Sequence, residues 1–116
     1  MIIKCISLDD FFLKRKFKFS DLDFIKIDTE GHEIEVLEGS KKTISKFKPK
    51  IIQVEFNTHQ LLTETTLIKY KSFLKDYNTY RILPYGDKLL PINIYKPENN
   101  IFHFSNIVFI LKKIDY

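Results

Sequence analysis

The run Asp23-Phe24-Ile25-Lys26-Ile27-Asp28-Thr29-Glu30-Gly31-His32-Glu33 constrains this chain more than any other stretch. Its first half is a short apolar strand interrupted by a lysine. Its second half is a packed set of polar groups that turns at a glycine into a helix. A near-continuous apolar strand followed by a helix is the pattern of a parallel sheet covered on both faces. In open α/β sheets, ligands sit in the crevice at the carboxyl ends of the strands. Carboxylates and an imidazole gathered at that point mark a candidate site.

The rest of the sequence extends this alternation. Met1 to Ser7 is short and apolar, which predicts a strand. Leu8 to Leu13 has an acidic start and an apolar face of Leu8, Phe11 and Phe12, which predicts a short helix with Ser7 as its N-cap. After the strand Phe24–Ile27, helical spacing runs from Glu33 to Phe47, with Ile34, Leu37, Ile44 and Phe47 as the core face. Gly39 divides it and Pro49 stops it. Lys50 to Phe56 is a second strand, and Asn57 to Thr63 a loop. Thr63 to Tyr77 predicts a helix burying Leu67, Tyr70, Leu74 and Tyr77. Tyr80 to Leu83 is a third strand, Tyr85-Gly86-Asp87 a turn, and Asn106 to Lys112 a final strand. No long helix precedes that last strand, so the sheet should finish with an antiparallel pairing. The sum is an α/β domain.

With 116 residues the chain falls within the usual size of one domain, and 44% hydrophobic content is enough for a core. One cysteine, Cys5, excludes a disulfide framework and a cysteine-based zinc site. No apolar run approaches the roughly 20 residues of a membrane span, and the N-terminus lacks a signal-peptide pattern. A cytoplasmic setting without membrane contact is the expectation. The net charge is +4, with lysine clusters at 14–18 and 41–50 interleaved with phenylalanines. Nucleic-acid contact is one reading of these clusters. A solvated lysine-rich surface is the simpler one.

The central run resembles the motif of the FkbM-type methyltransferases. The likeness extends to Ile6-Ser7-Leu8-Asp9-Asp10-Phe11, to Val36-Leu37-Glu38-Gly39, to Pro49–Glu55 and to Phe104-Ser105-Asn106. The resemblance implies a Rossmann-like sheet of seven strands in the order 3-2-1-4-5-7-6. It implies that Phe24–Ile27 is strand four, Lys50–Phe56 strand five, Tyr80–Leu83 strand six and Asn106–Lys112 strand seven. The first three strands have no counterpart among these residues. Nor does the glycine-rich loop that cradles S-adenosylmethionine, since the three glycines, Gly31, Gly39 and Gly86, form no GxGxxG. The resemblance therefore implies the C-terminal, substrate-side half of a methyltransferase domain, holding half of the cofactor site. Its strand-one edge would be bare, to be shielded by Met1–Ser7, by a companion chain supplying the missing strands, or by association.

The implied activity is O-methyl transfer to a hydroxyl of a sugar or small natural product. Asp28, at the carboxyl end of the motif strand, would face both cofactor and acceptor as a base or orienting group. Capping the next helix is its structural alternative. Glu30 and His32 flank Gly31. If extended, Asp28, Glu30 and His32 would share one side and could hold a divalent metal. His32, with an ordinary pKa near about 6.5, is a second candidate proton acceptor. Glu33 is read as complementing the helix N-terminus. Glu55 and Asn57, at the end of the second strand, are the candidate substrate-binding pair, with a structural bond to a neighbouring loop as the alternative for Glu55. His59 reads as an ordinary loop histidine, and Asn106 as a turn or capping residue at the pocket edge. The alternatives to an enzyme are a non-catalytic truncated relative acting as an interaction module, and a basic nucleic-acid-binding domain.

Overall fold

A computed structural model of the protein describes residues 1–18, 22–85 and 87–113. Its framework is a five-stranded mixed sheet built from β1 (Phe24–Ile27), β2 (Ile51–Phe56), β3 (Tyr77–Ile82), β4 (Leu89–Pro91) and β5 (Ser105–Leu111). The spatial order is β1-β2-β5-β3-β4. β1 and β2 are parallel, with Ile27 opposite Val54. β5 runs antiparallel between β2 and β3, and β4 adds an antiparallel edge. Pro91 is tolerated in β4 because an edge strand has N–H positions outside the ladder.

Among the described residues there are five α-helices: α1 (Leu8–Leu13) before β1, α2 (Glu33–Glu38) and α3 (Lys41–Phe47) between β1 and β2, and α4 (Thr58–Leu62) and α5 (Leu67–Phe73) between β2 and β3. Ile25, Ile27, Ile52, Val54, Phe56, Ile107 and Phe109 project from one sheet face. They form a single buried cluster with Ile34, Leu37 and Ile44 of the α2–α3 pair and with Leu67, Tyr70 and Leu74. Phe56 meets Tyr70 edge-on at 6.1 Å and stacks on Phe102 at 5.3 Å. Such aromatic pairs contribute about 0.5–1.5 kcal/mol beyond their buried area.

The opposite sheet face differs from the expected double covering. Val108 and Ile110 lie on it, outside that cluster. They are shielded by cross-strand neighbours, Val108 by Gln53 and Tyr80, and Ile110 by Ile51 and Asn78. Phe24 on the same face is 49% exposed. The apolar alternation of β1 is thus that of a sheet packed on one side, with Lys26 on the open side.

Two further expectations are corrected. Met1–Ser7 is not a strand: it pairs with no strand among the described residues, and Ile2 and Ile3 are exposed. An apolar segment becomes a strand only through a partner, so the outer edge of β1 is left without a shield from this segment. The helix expected over Thr63–Tyr77 is confined to α5. Leu67, Tyr70, Leu74 and Tyr77 are all buried as the spacing requires, yet Tyr77 opens β3. Its hydroxyl donates to the Pro49 carbonyl at 2.8 Å, and burial, aided by the Asp76 carboxylate, pushes its pKa up to about 12. The 57–63 loop contains α4, whose start is encoded by Asn57. Gly86 of the expected turn lies outside the described residues. No helix among the described residues is long and apolar enough to cross a membrane.

The division at Gly39 holds, and its reason is close approach. A Cβ there would meet the Ser7 Cβ at 3.1 Å. Ser7 caps α1 through Asp10 N at 3.0 Å. Asp9 then reaches the next helix: it accepts from Lys42 N (3.1 Å), Thr43 N (2.7 Å) and Thr43 Oγ1 (2.7 Å). Ser40 makes no cap bond itself, so Asp9 supplies the start of α3 from a distance. Burial opposes the Asp9 charge, but the hydrogen bonds from Thr43 and Lys42 prevail and hold its pKa below the ordinary value. Asp9→Ala is expected to cost about 1–2 kcal/mol in urea unfolding and to speed proteolysis within residues 1–18. An unchanged urea midpoint would contradict this role.

Candidate active site

The corner is built at the carboxyl ends of β1 and β2. After Ile27 the chain does not continue extended. Glu30 has φ 54° and Gly31 φ 106°, so the backbone turns back on itself before α2. This overturns the condition for Asp28, Glu30 and His32 sharing one side. Glu30 and His32 are exposed, and His32 lies 3.6 Å from Glu35. Among the described residues, no three His, Cys, Asp or Glu side chains are grouped to hold a metal ion.

The centre of the turn is Glu33, which is 1% exposed. Its Oε1 accepts from Thr29 N (3.0 Å), Thr29 Oγ1 (3.1 Å) and Gly31 N (3.3 Å). Its Oε2 accepts from Gln60 Nε2 at 2.7 Å. Burial works against the charge, yet hydrogen bonds from Thr29, Gly31 and its own amide hold the pKa below the ordinary value. Gln60 faces both ways, since its Oε1 accepts from Asn57 N at 2.6 Å. That bond completes a capping box, in which Asn57 Oδ1 accepts from His59 N at 2.8 Å. Glu33 and Gln60 therefore pin the turn after β1 to the turn after β2.

This fixes the two carboxylates of interest. Asp28 and Glu55 follow the paired residues Ile27 and Val54, so they lie side by side at one end of the sheet. Asp28 is paired with Lys26 at 3.2 Å, both partly exposed, an arrangement of small energetic weight. Glu55 Oε2 accepts from Asn57 Nδ2 at 3.1 Å. Burial is the main cause that pushes the Glu55 pKa up. The Asp28 carboxylate adds to it, and Lys26 opposes. Asn57 has both ends of its amide engaged, so its evident structural work is to hold Glu55 and start α4.

Sequence reasoning missed three residues here. Glu33 is the hub of the corner rather than a partner of the helix dipole alone. Gln60 is its bridge, and the Asn57-x-x-Gln60 spacing was the readable signal. His59 is half-buried on α4, its Nδ1 buried without a hydrogen-bond partner among the described residues, and its Cβ would stand 3.1 Å from a Cβ at position 31. Tyr70 completes the underside: its buried hydroxyl lies beside Gln60 and Glu33, and burial, with the Glu33 charge, raises its pKa. A groove of about 490 Å³, lined by Lys41, Lys48, Lys75 and Phe73, lies instead at the opposite end of the sheet. Lys48 and Lys75 there follow helix C-termini, where cations are favoured without any ligand.

The strand-turn-helix with its buried glutamate falls inside a recognised sequence family. The methyltransferase FkbM domain matches residues 1–82. The chain belongs to that family. Nothing matches it among curated proteins or solved structures. In this FkbM domain the matched residues carry Asp28, Glu33, Glu55 and Gln60, whereas β5 lies beyond the matched stretch.

Two outcomes are expected from this corner. Gly31→Ala should destabilise by at least about 1 kcal/mol, because φ 106° suits glycine and the added carbon would press on His59. Glu33→Gln should cost about 2 kcal/mol at neutral pH, since an acceptor of several hydrogen bonds becomes partly a donor. The folded pKa of Glu33 is depressed, so the unfolded chain binds more protons as the medium acidifies. Its contribution is full above the ordinary value of 4.5 and is lost as pH falls below it. Urea midpoints measured from neutral pH into the acid range should decline less steeply in Glu33→Gln than in the wild type. Parallel curves would contradict the assignment.

Proposed function

We propose that this FkbM domain is the substrate-side part of an S-adenosylmethionine-dependent O-methyltransferase acting on a hydroxyl of a sugar or small natural product. The observation that carries the reading is the pairing of Asp28 and Glu55 at the carboxyl ends of adjacent parallel strands, with Glu55 made more basic than an ordinary glutamate. A base needs to stand near the proton that it takes and to have a pKa raised toward the working range. The strand order β1-β2-β5-β3, with β5 antiparallel, supports reading these as strands four, five, seven and six of a Rossmann-like sheet. When bound, the cofactor supplies an electrophilic methyl group on a positively charged sulfur. Negative charge at Asp28 and Glu55 fits that end of it. The chain's own part is to hold the acceptor hydroxyl, exclude misaligned poses and receive the proton at Glu55 or Asp28.

The remaining cradle is proposed to come from polypeptide outside these 116 residues, upstream or in a companion chain. Two observations support this: the outer edge of β1 is unpaired among the described residues, and the sheet face with Phe24 is open. The same edge and face favour the second reading, a non-catalytic interaction module. The lysine clusters are read as solvated surface, as Lys14 and Lys50 are each paired with an aspartate.

Calorimetry with S-adenosylmethionine separates the readings. The chain alone should show no micromolar binding, and a polypeptide supplying a glycine-rich strand-loop-helix should restore it. Tight binding by the chain alone would overturn the half-site. In the completed enzyme, Glu55→Gln should lower kcat by about 100-fold or more with little change in cofactor affinity. A loss below threefold would remove Glu55 from the chemistry.

A further inference from the structure

We propose that Glu55 and Asn106 form a donor–acceptor pair that selects an uncharged acceptor carrying two adjacent hydroxyls. This deepens the methyl-transfer reading above and rests on it. Asn106 lies directly opposite Glu55 in the antiparallel β2–β5 register, so both side chains rise from the open face of the sheet. Directly opposed residues place their Cβ atoms about 4.5–5.5 Å apart. Gln53, two residues before Glu55 and on the same face, donates from Nε2 to Asn106 Oδ1 at 3.0 Å. That bond consumes the carbonyl end of the Asn106 amide and orients it. Asn106 Nδ2 is left with its donors facing no partner among the described residues.

Glu55 is oriented in the same manner. Its Oε2 is held by Asn57 Nδ2, while no donor reaches Oε1 among the described residues. The open face thus presents a fixed acceptor beside a fixed donor, each locked from behind by a second amide. An amide donor beside a carboxylate acceptor matches a hydroxyl that gives its proton and a neighbouring hydroxyl oxygen that receives one. Charge narrows the class. Asp28, Glu55 and the buried Glu33 carboxylate converge on this corner, and the nearby Lys26 is already paired with Asp28. A carboxylate or phosphate on the acceptor would be repelled, whereas a neutral diol would not. Asn106 is therefore a specificity-determining residue and Gln53 a positioning residue.

The test follows the side-chain amide signals of the isotopically labelled chain by NMR during titration with the cis vicinal diol of cyclohexane. Cyclohexanol and the corresponding hydroxy-carboxylate serve as comparators. The diol should move the Asn106 side-chain signals saturably. Cyclohexanol should bind about tenfold more weakly, the loss of one hydrogen bond at the upper end of its usual worth. The hydroxy-carboxylate should bind no better than cyclohexanol. Asn106→Ala and Asn106→Ser should each weaken the diol by about tenfold, while Asn78→Ala, elsewhere on the same face, should not. Gln53→Leu should broaden or shift the Asn106 signals before any ligand is added. Equal affinity for diol and cyclohexanol, full binding by a folded Asn106 variant, or no saturable shift with the diol would each overturn the proposal. None of these readings involves the cofactor, so their failure is distinguishable from failure of the calorimetric experiment.

Discussion

The buried carboxylate of Glu33 is the interaction on which the rest of the corner depends. An ionised group this deep is tolerated only when its oxygens are hydrogen-bonded. Here the donors come from two different turns: Thr29 and Gly31 on one side, Gln60 on the other. One charge therefore sets the backbone path after β1 and ties it to the helix after β2. Glu55 is already fixed within β2, opposite Asn106, and the tie keeps the turn after Asp28 against it. Asp28 and Glu55 lie at the same end of neighbouring strands.

A second polar bridge works at the far end of the first helix pair. Asp9 caps α3 across a long sequence separation, and Ser7 packs into the space that Gly39 leaves open. The N-terminal helix is consequently part of the fold although none of its residues is fully buried. The ring contact between Phe12 and Phe47 joins α1 to α3.

Much of this was legible in the sequence, and the legible parts share a cause. β1, β2 and the Gly39 break are set by local patterns: an unbroken apolar run, a helical period, a glycine and a proline. The four apolar positions of the α2–α3 segment are all buried as their spacing implies. What failed depends on partners distant in the chain. Met1–Ser7 has strand composition but no strand to pair with. Tyr77 continues the helical period of α5, yet its pairing opposite Leu111 of β5 makes it the start of β3. The open sheet face could not be read from β1, because an apolar strand looks the same whether its second face is covered by a helix or by cross-strand neighbours. At the site, Asp28 and Glu55 were legible as strand-end carboxylates. Glu33 was undervalued because its donors include Gln60, 27 residues away.

The sheet order carries a consequence for how this domain comes into being. Among the described strands, β5 follows the other four in the chain yet lies at the middle of the sheet, so it must enter between two strands made before it. Until then β2 and β3 have no neighbour on their facing sides, and the aromatic cluster around Phe56 lacks Phe109. Such non-local closure is slow and exposes sticky surface while it waits. Closure of the described sheet therefore waits for β5 and proceeds from its centre.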